Sequence, residues 1–142
     1  SGELFDRMAV LGAECVSEAL KQIENGTAVY TPQAEEEATF SAKITAEQEK
    51  IDWSLPARQL VNLVRALSPE IGGWTTLYGA HLKIFQLIPC DKAYRGKKSL
   101  AVMCGDGNAV YVTKLQLQNA KRLDIASFLC GKRIALGTVL GE

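Results

Sequence analysis

The basic residues of this chain are spaced in a way that can hold phosphate. Arg58 and Arg65 lie seven residues apart in "IDWSLPARQLVNLVRAL", while Lys97-Lys98, Lys121-Arg122 and Lys132-Arg133 are doublets. Tyr94 and Arg95 share the polar basic stretch "CDKAYRGKK" with Lys97-Lys98. Guanidinium and ammonium groups carried on loops and helix ends around a rigid core can grip a polyanionic backbone. The competing reading is a solvated rim of the same charges. The total charge is zero, but it is unevenly divided. Residues 1–56 hold eleven acids and four bases, net −7, and residues 57–142 hold five acids and twelve bases, net +7. Such asymmetry turns the second part toward a polyanion. Aromatic residues make up only 7% of the chain, and Trp53, Trp74, Phe85 and Tyr111 are expected in the core. Recognition of shape or backbone therefore fits better than base stacking.

The other reactive groups point to no catalytic centre. His81 is the single histidine, with no cysteine or acid nearby in sequence, and is expected on the surface at a turn or strand start. The serines of "SEAL", "FSAK" and "ASFL" stand beside nothing that would activate a nucleophile. Glu35, Glu36 and Glu37 are adjacent, so they repel one another in water instead of forming a positioned acid/base pair. Cys15, Cys90, Cys104 and Cys130 show no CxxC spacing. They read as reduced, mostly buried thiols of a cytoplasmic protein, with no metal site and no disulfide expected. Gly105-x-Gly107 is expected as a turn, because β-prone residues follow it where a nucleotide-binding loop would open a helix.

The elements that must carry the basic residues follow from periodicity. From Glu3 to Asn25, apolar residues recur at Leu4, Met8, Leu11, Val16, Leu20 and Ile23, one face of a helix that Gly26 would end. That stripe has no partner helix beside it in sequence, so residues 1–26 read as the last helix of a larger domain. Residues 27–49 read as an extended linker, with a short helix from Ala46 announced by the capping-box spacing Thr45-x-x-Gln48. Residues 50–142 read as a domain of their own. Ser54 is the expected N-cap of an amphipathic helix with Leu60, Leu63, Val64 and Leu67 on one face and Arg58, Asn62 and Arg65 on the other. Ser68-Pro69 should stop it.

Beyond Gly72 the period becomes two. "GGWTTLYGAHLKIFQLI" predicts a hairpin turning at Tyr78 to His81, and "SLAVMCGDGNAVYVTKLQL" a second turning at Cys104 to Asn108. Asp124 should cap the short helix "IASFLC", and "TVL" near the end is a possible further strand. One helix, about five strands and a short helix give an α+β, mainly β fold. It is expected as a small barrel of the oligonucleotide-binding (OB) type, with an open α+β sandwich as the alternative. No apolar run approaches the length of about 18 residues that spans a bilayer, and no signal-peptide pattern opens the chain. A soluble cytoplasmic protein without membrane partners is expected.

The segments "GELFDRMAVLGAE", "ATFSAKIT", "EKIDWSLPARQLVNLVRALSP", "CGDG" and "IASFLCGKR" occur in that order. Together they resemble the C-terminal part of the methionyl-tRNA formyltransferase family, over essentially the whole chain. The resemblance implies the final helix of a Rossmann-like formyltransferase domain, a linker, and an OB-type C-terminal barrel that grips initiator methionyl-tRNA. It implies 10-formyltetrahydrofolate as the formyl donor of the parent enzyme, with no cofactor in this chain. The catalytic residues of the family lie in its N-terminal domain, so this chain is expected to be inactive alone, and to be monomeric within a full-length enzyme. The family pattern of RNA-facing bases matches Lys43, Arg65, Lys83, Lys121, Arg122, Lys132 and Arg133 by position. Two departures, at Ser68 to Ile71 and in the shortened stretch from Pro89 to Lys98, admit an alternative: a structural or interaction domain of a paralogue that formylates a small molecule such as a nucleotide sugar. Independently of them, a dimerisation module is a third reading.

Overall fold

The structure, a computed structural model, describes residues 1–90 and 99–142. Tyr94, Arg95 and Lys97-Lys98, which the sequence singled out, lie outside the described residues. The chain divides into two compact units, Ser1–Lys43 and Ile44–Glu142.

The first unit is one long helix and an extended tail. α1 spans Gly2–Glu24 and ends where Gly26 takes a φ of 68°, a conformation that costs glycine little. Carbonyls of the last turn are closed by the N–H groups of Thr27 and Ala28, which both donate to Gln22 O. None of its residues is buried. The tail carries one 3-10 turn at Glu35–Glu37.

The second unit is α+β, as the sequence predicts. α2 (Ala46–Glu49) opens with the predicted capping box, in which Thr45 N donates to Gln48 Oε1 at 2.9 Å. α3 (Ala57–Leu67) is followed by β1 (Gly73–Leu77), β2 (Ala80–Pro89), β3 (Leu100–Met103), β4 (Ala109–Leu117), β5 (Leu123–Asp124) and α4 (Ile125–Gly131). The five strands form one antiparallel sheet in the order β1-β2-β4-β3, with β5 also paired to β4. Leu60 and Val64 of α3 meet Leu82, Ile84, Val112 and Leu115 of the sheet in the core, each at most 1% exposed. The face of α3 opposite that contact keeps Arg58, Asn62 and Arg65 exposed, as its periodicity requires. Among the described residues no helix is long and apolar enough to cross a membrane.

Three local expectations are corrected. Ser54 is not the cap of α3. Its N–H and hydroxyl both go to Asp52 Oδ1, at 3.0 and 2.6 Å, and the helix begins at Ala57 with Pro56 in the cap position. The N–H of Ala57 is instead taken by Asp106 Oδ2 at 3.2 Å, from the Cys104–Asn108 turn. The first hairpin turns on Tyr78 and Gly79 alone, both with positive φ, and Ala80 and His81 already belong to β2. Two residues of positive φ match the right-handed twist of the flanking strands. Finally, "TVL" forms no strand. The chain end lies along β1, where Gly141 N donates to Thr76 O at 3.0 Å.

The "CGDG" segment thus has a structural purpose. A Cβ on Gly105 would overlap the carbonyl oxygen of Ser54, so only glycine lets this turn approach the start of α3. Asp106 also accepts from the side chain and N–H of Asn108, which hold its carboxyl below the usual aspartate value.

Candidate nucleic-acid interface

The turn from Ser68 to Gly72, which joins α3 to β1, is the point around which several of the basic residues assemble. Arg65 stands in the last turn of α3, exposed, with Nη2 donating to Asn62 Oδ1 at 3.0 Å. A cation there also complements the negative end of the helix dipole. The turn itself contains a cis peptide between Ser68 and Pro69 and is tied back to α3 by Ile71 N and Gly72 N, both donating to Leu67 O. Its one carboxylate is Glu70.

Strand β2 supplies the next two contacts. Lys83 lies opposite Trp74 of β1 and Gln116 of β4, and its Nζ donates to Ile71 O at 3.1 Å. Two residues on, the β2–β4 register shifts between Ile84 and Gln86 and again between Gln86 and Leu87. Such an irregularity re-aims side chains, and here it leaves Ile84 and Phe85 buried in succession where a regular strand would alternate. Ile84 enters the core; Phe85 does not belong to it. The Phe85 carbonyl accepts from Ser68 Oγ at 2.6 Å, and the place of a Cβ on Gly72 is occupied by the Phe85 ring, 2.8 Å from Cε1.

The loop between β4 and β5 closes the arrangement. Gln116 Nε2 donates to Ala120 O at 2.8 Å, and Gln118 N donates to His81 O at 3.0 Å. So held, the loop presents Lys121 and Arg122, both exposed. The Arg122 guanidinium carbon lies 3.4 Å from the centroid of the Phe85 ring. A cation at that distance is attracted by the ring quadrupole and keeps the guanidinium N–H edge for other acceptors. Arg65, Lys83, Lys121 and Arg122 therefore stand on one connected framework of turn, strand and loop.

The remaining candidates are placed elsewhere. Lys132 and Arg133 follow α4, both exposed, and Lys132 N closes the helix on Phe128 O at 3.0 Å. α4 is capped as the sequence predicts, with Asp124 Oδ1 accepting from Ser127 N at 2.9 Å, and that bond lowers the Asp124 pKa. Lys43 is exposed and belongs to the first unit.

Sequence reasoning missed an aromatic surface. Trp74 is only partly buried and donates Nε1 to Ala46 O at 2.8 Å. The His81 ring stacks on it with centroids 5.3 Å apart and planes 21° apart, and Lys50 Nζ stands 5.5 Å from its ring centroid. Trp74 was expected in the core because tryptophan usually is; pairing with Lys83 puts it on the outer face instead. His81 is thus an aromatic packing partner, with no acid or nucleophile beside it among these contacts. No group of three or more metal-binding side chains exists among the described residues. Cys104 is buried, but Cys15, Cys90 and Cys130 are exposed, which corrects the expectation of mostly buried thiols.

Comparison with known proteins gives this geometry its context. The model of the formyl transferase C-terminal domain family matches residues 43–133. The methionyl-tRNA formyltransferase of Agathobacter rectalis is 37% identical, over 96% of this chain and 47% of its own length. That of Enterococcus faecalis is 36% identical, over 92% of this chain and 44% of its own length. The chain spans about half the length of the curated relatives it matches. Among solved structures, a multiply substituted HypX from Aquifex aeolicus superposes with a TM-score of 0.65 at 25% identity, over 83% of this chain and 22% of HypX. HypX in complex with tetrahydrofolic acid gives 0.63 at 25% identity, over 82% and 22%.

Proposed function

Because the chain belongs to the formyl transferase C-terminal domain family, we propose that it is the tRNA-binding part of a methionyl-tRNA formyltransferase. The parent enzyme would pass the formyl group of 10-formyltetrahydrofolate to the amino group of initiator methionyl-tRNA in the cytoplasm. This chain supplies grip and orientation, and the chemistry belongs to a separate N-terminal domain. The observation that carries the reading is the framework joining Arg65, Lys83, Lys121 and Arg122 around the α3–β1 turn. Cations on a preorganised surface bind a polyanion at a smaller entropic cost than cations on mobile arms. Lys132 and Arg133 would extend the contact along the RNA, and Lys43 of the first unit is read as a separate RNA contact.

The sheet, with α3 across it and the chain end along β1, is read as a barrel of the OB type. Residues 1–26 are read as the last helix of the formyltransferase domain and residues 27–49 as the linker. Support comes from α1 itself, whose apolar residues Leu4, Met8, Leu11 and Leu20 are 59–61% exposed. A stripe of that kind is built for a partner surface. The two bacterial relatives, named as methionyl-tRNA formyltransferases, do not favour a small-molecule acceptor.

The test is binding of uncharged initiator tRNA to the 142-residue chain across a range of salt concentrations. Affinity that falls steeply with salt, by about 0.9 log unit per log unit of salt for each neutralised duplex phosphate, is expected. Absence of binding at low salt would remove the reading.

A further inference from the structure

We propose that Phe85 is the seat of a phosphate fork whose prongs are the N–H groups of Arg122, so that position 122 requires arginine and not merely a positive charge. The inference rests on the RNA-binding reading above and deepens it to one subsite, whose ligand is a non-bridging phosphodiester oxygen pair.

Phe85 is 6% exposed, yet it stands outside the main core cluster. A large apolar side chain placed there has to be covered by something other than the core. One flank of its ring is taken by Gly72, where a Cβ would meet Cε1 and Cδ1 at 2.8 and 3.0 Å. The guanidinium of Arg122 lies against the ring at 3.4 Å. The backbone that carries the ring is tied to the α3–β1 turn by the bond from Ser68 Oγ to the Phe85 carbonyl. The loop that carries Arg122 is held from Gln116. The backbone on both sides of the stack is thus tied before any ligand arrives.

A stacked guanidinium is restrained in its plane, while its N–H donors point outward along the edge in the geometry that matches two oxygens of a phosphate. Lysine has no plane to stack and no fork to present, although it carries the same charge. The local field favours an anion, since Lys121 is adjacent and Arg65 and Lys83 flank the same turn; Glu70 is the opposing charge on that turn.

The experiment compares Arg122→Lys, Arg122→Met and Phe85→Leu in the 142-residue chain, with uncharged initiator tRNA transcript as the probe. Circular dichroism and thermal melting establish that each variant is folded. Arg122→Lys is expected to weaken binding about tenfold, the loss of one charge-assisted hydrogen bond, with the salt slope unchanged because the charge is kept. Arg122→Met should weaken binding further and flatten the slope. Phe85→Leu should weaken binding about fivefold, with the slope unchanged, as the guanidinium loses its seat. In the wild type the Arg122 Nε–Hε NMR signal should shift on adding the tRNA and stay in place with inorganic phosphate at the same concentration. Wild-type affinity in Arg122→Lys would overturn the fork while leaving the RNA reading intact. No binding by the wild type at low salt would overturn both. A shift of the NMR signal with inorganic phosphate alone would overturn the assignment to an RNA phosphate and point to a free anion.

Discussion

Two amphipathic helices in this chain meet different fates. α3 has eleven residues and buries Ala57, Leu60, Val64 and Leu67 against the sheet. α1 has twenty-three and buries nothing. Both have a clear apolar stripe, so periodicity alone does not separate them. The difference lies in what the rest of the chain offers. α3 is followed in its own unit by strands that return beneath it and by a turn that reaches its first N–H, whereas α1 is followed in its own unit by an acidic, largely extended segment. An amphipathic stripe marks where a surface is needed and does not tell whether its own unit supplies it.

Substitution on the two apolar stripes should separate the helices. Leu60→Ala should destabilise the second unit by about 3 kcal/mol, the cost of emptying a fully buried leucine site, read as a fall in urea midpoint. Leu11→Ala in α1 should change the same transition by less than about 0.5 kcal/mol. A large effect of Leu11→Ala would show that the apolar stripe of α1 contributes to the same transition.

Gly105→Ala comes next, at about 1–3 kcal/mol, because the new methyl must displace the backbone at Ser54. Asp106→Ala should lower the thermal midpoint by less, through loss of the bond to Ala57 N and of the turn bonds to Asn108. It should also change the acid limb of stability. The carboxyls of Asp106, Asp124 and Asp52 are held below their ordinary values by hydrogen bonds from Asn108, Ser127 and Ser54 respectively. A lowered folded-state pKa gives stability that is fully present above the unfolded value and is lost as pH falls through the folded one. Acid titration of the thermal midpoint should therefore decline below the ordinary aspartate range, and less steeply in Asp106→Ala. An unchanged acid limb in that variant would contradict the assignment.

How much of this was legible in the sequence depends on the range of the interaction. Elements set by neighbours were readable: the α3 face, the Thr45 capping box, the Cys104–Asn108 turn and the Asp124 cap all follow from residues within a few positions of one another. The start of α3 was misread because the group that satisfies Ala57 N is Asp106, 49 residues away, while the local candidate Ser54 is engaged by Asp52. Arg122 was readable as a charge. Its seat was not, since Phe85 reaches it only through an irregularity in the β2–β4 register that no periodicity announces. Trp74 was misplaced for a related reason. Which face of β1 it occupies is decided by the cross-strand pairing with Lys83, not by its own hydrophobicity.

The contrast between the two units also bears on RNA. Arg7 and Lys21 of α1 and Lys121 and Arg122 of the β4–β5 loop are two pairs of exposed bases, and charge reversal of either pair changes the net charge equally. The most direct measurement is the salt dependence of initiator tRNA binding by the wild type, by Arg7→Glu/Lys21→Glu and by Lys121→Glu/Arg122→Glu. The expected result is an unchanged slope for the α1 pair, and for the loop pair weaker binding with a slope reduced by about one to two units. Equal losses in the two double variants, or a wild-type slope in Lys121→Glu/Arg122→Glu, would contradict a tRNA surface built around the α3–β1 turn.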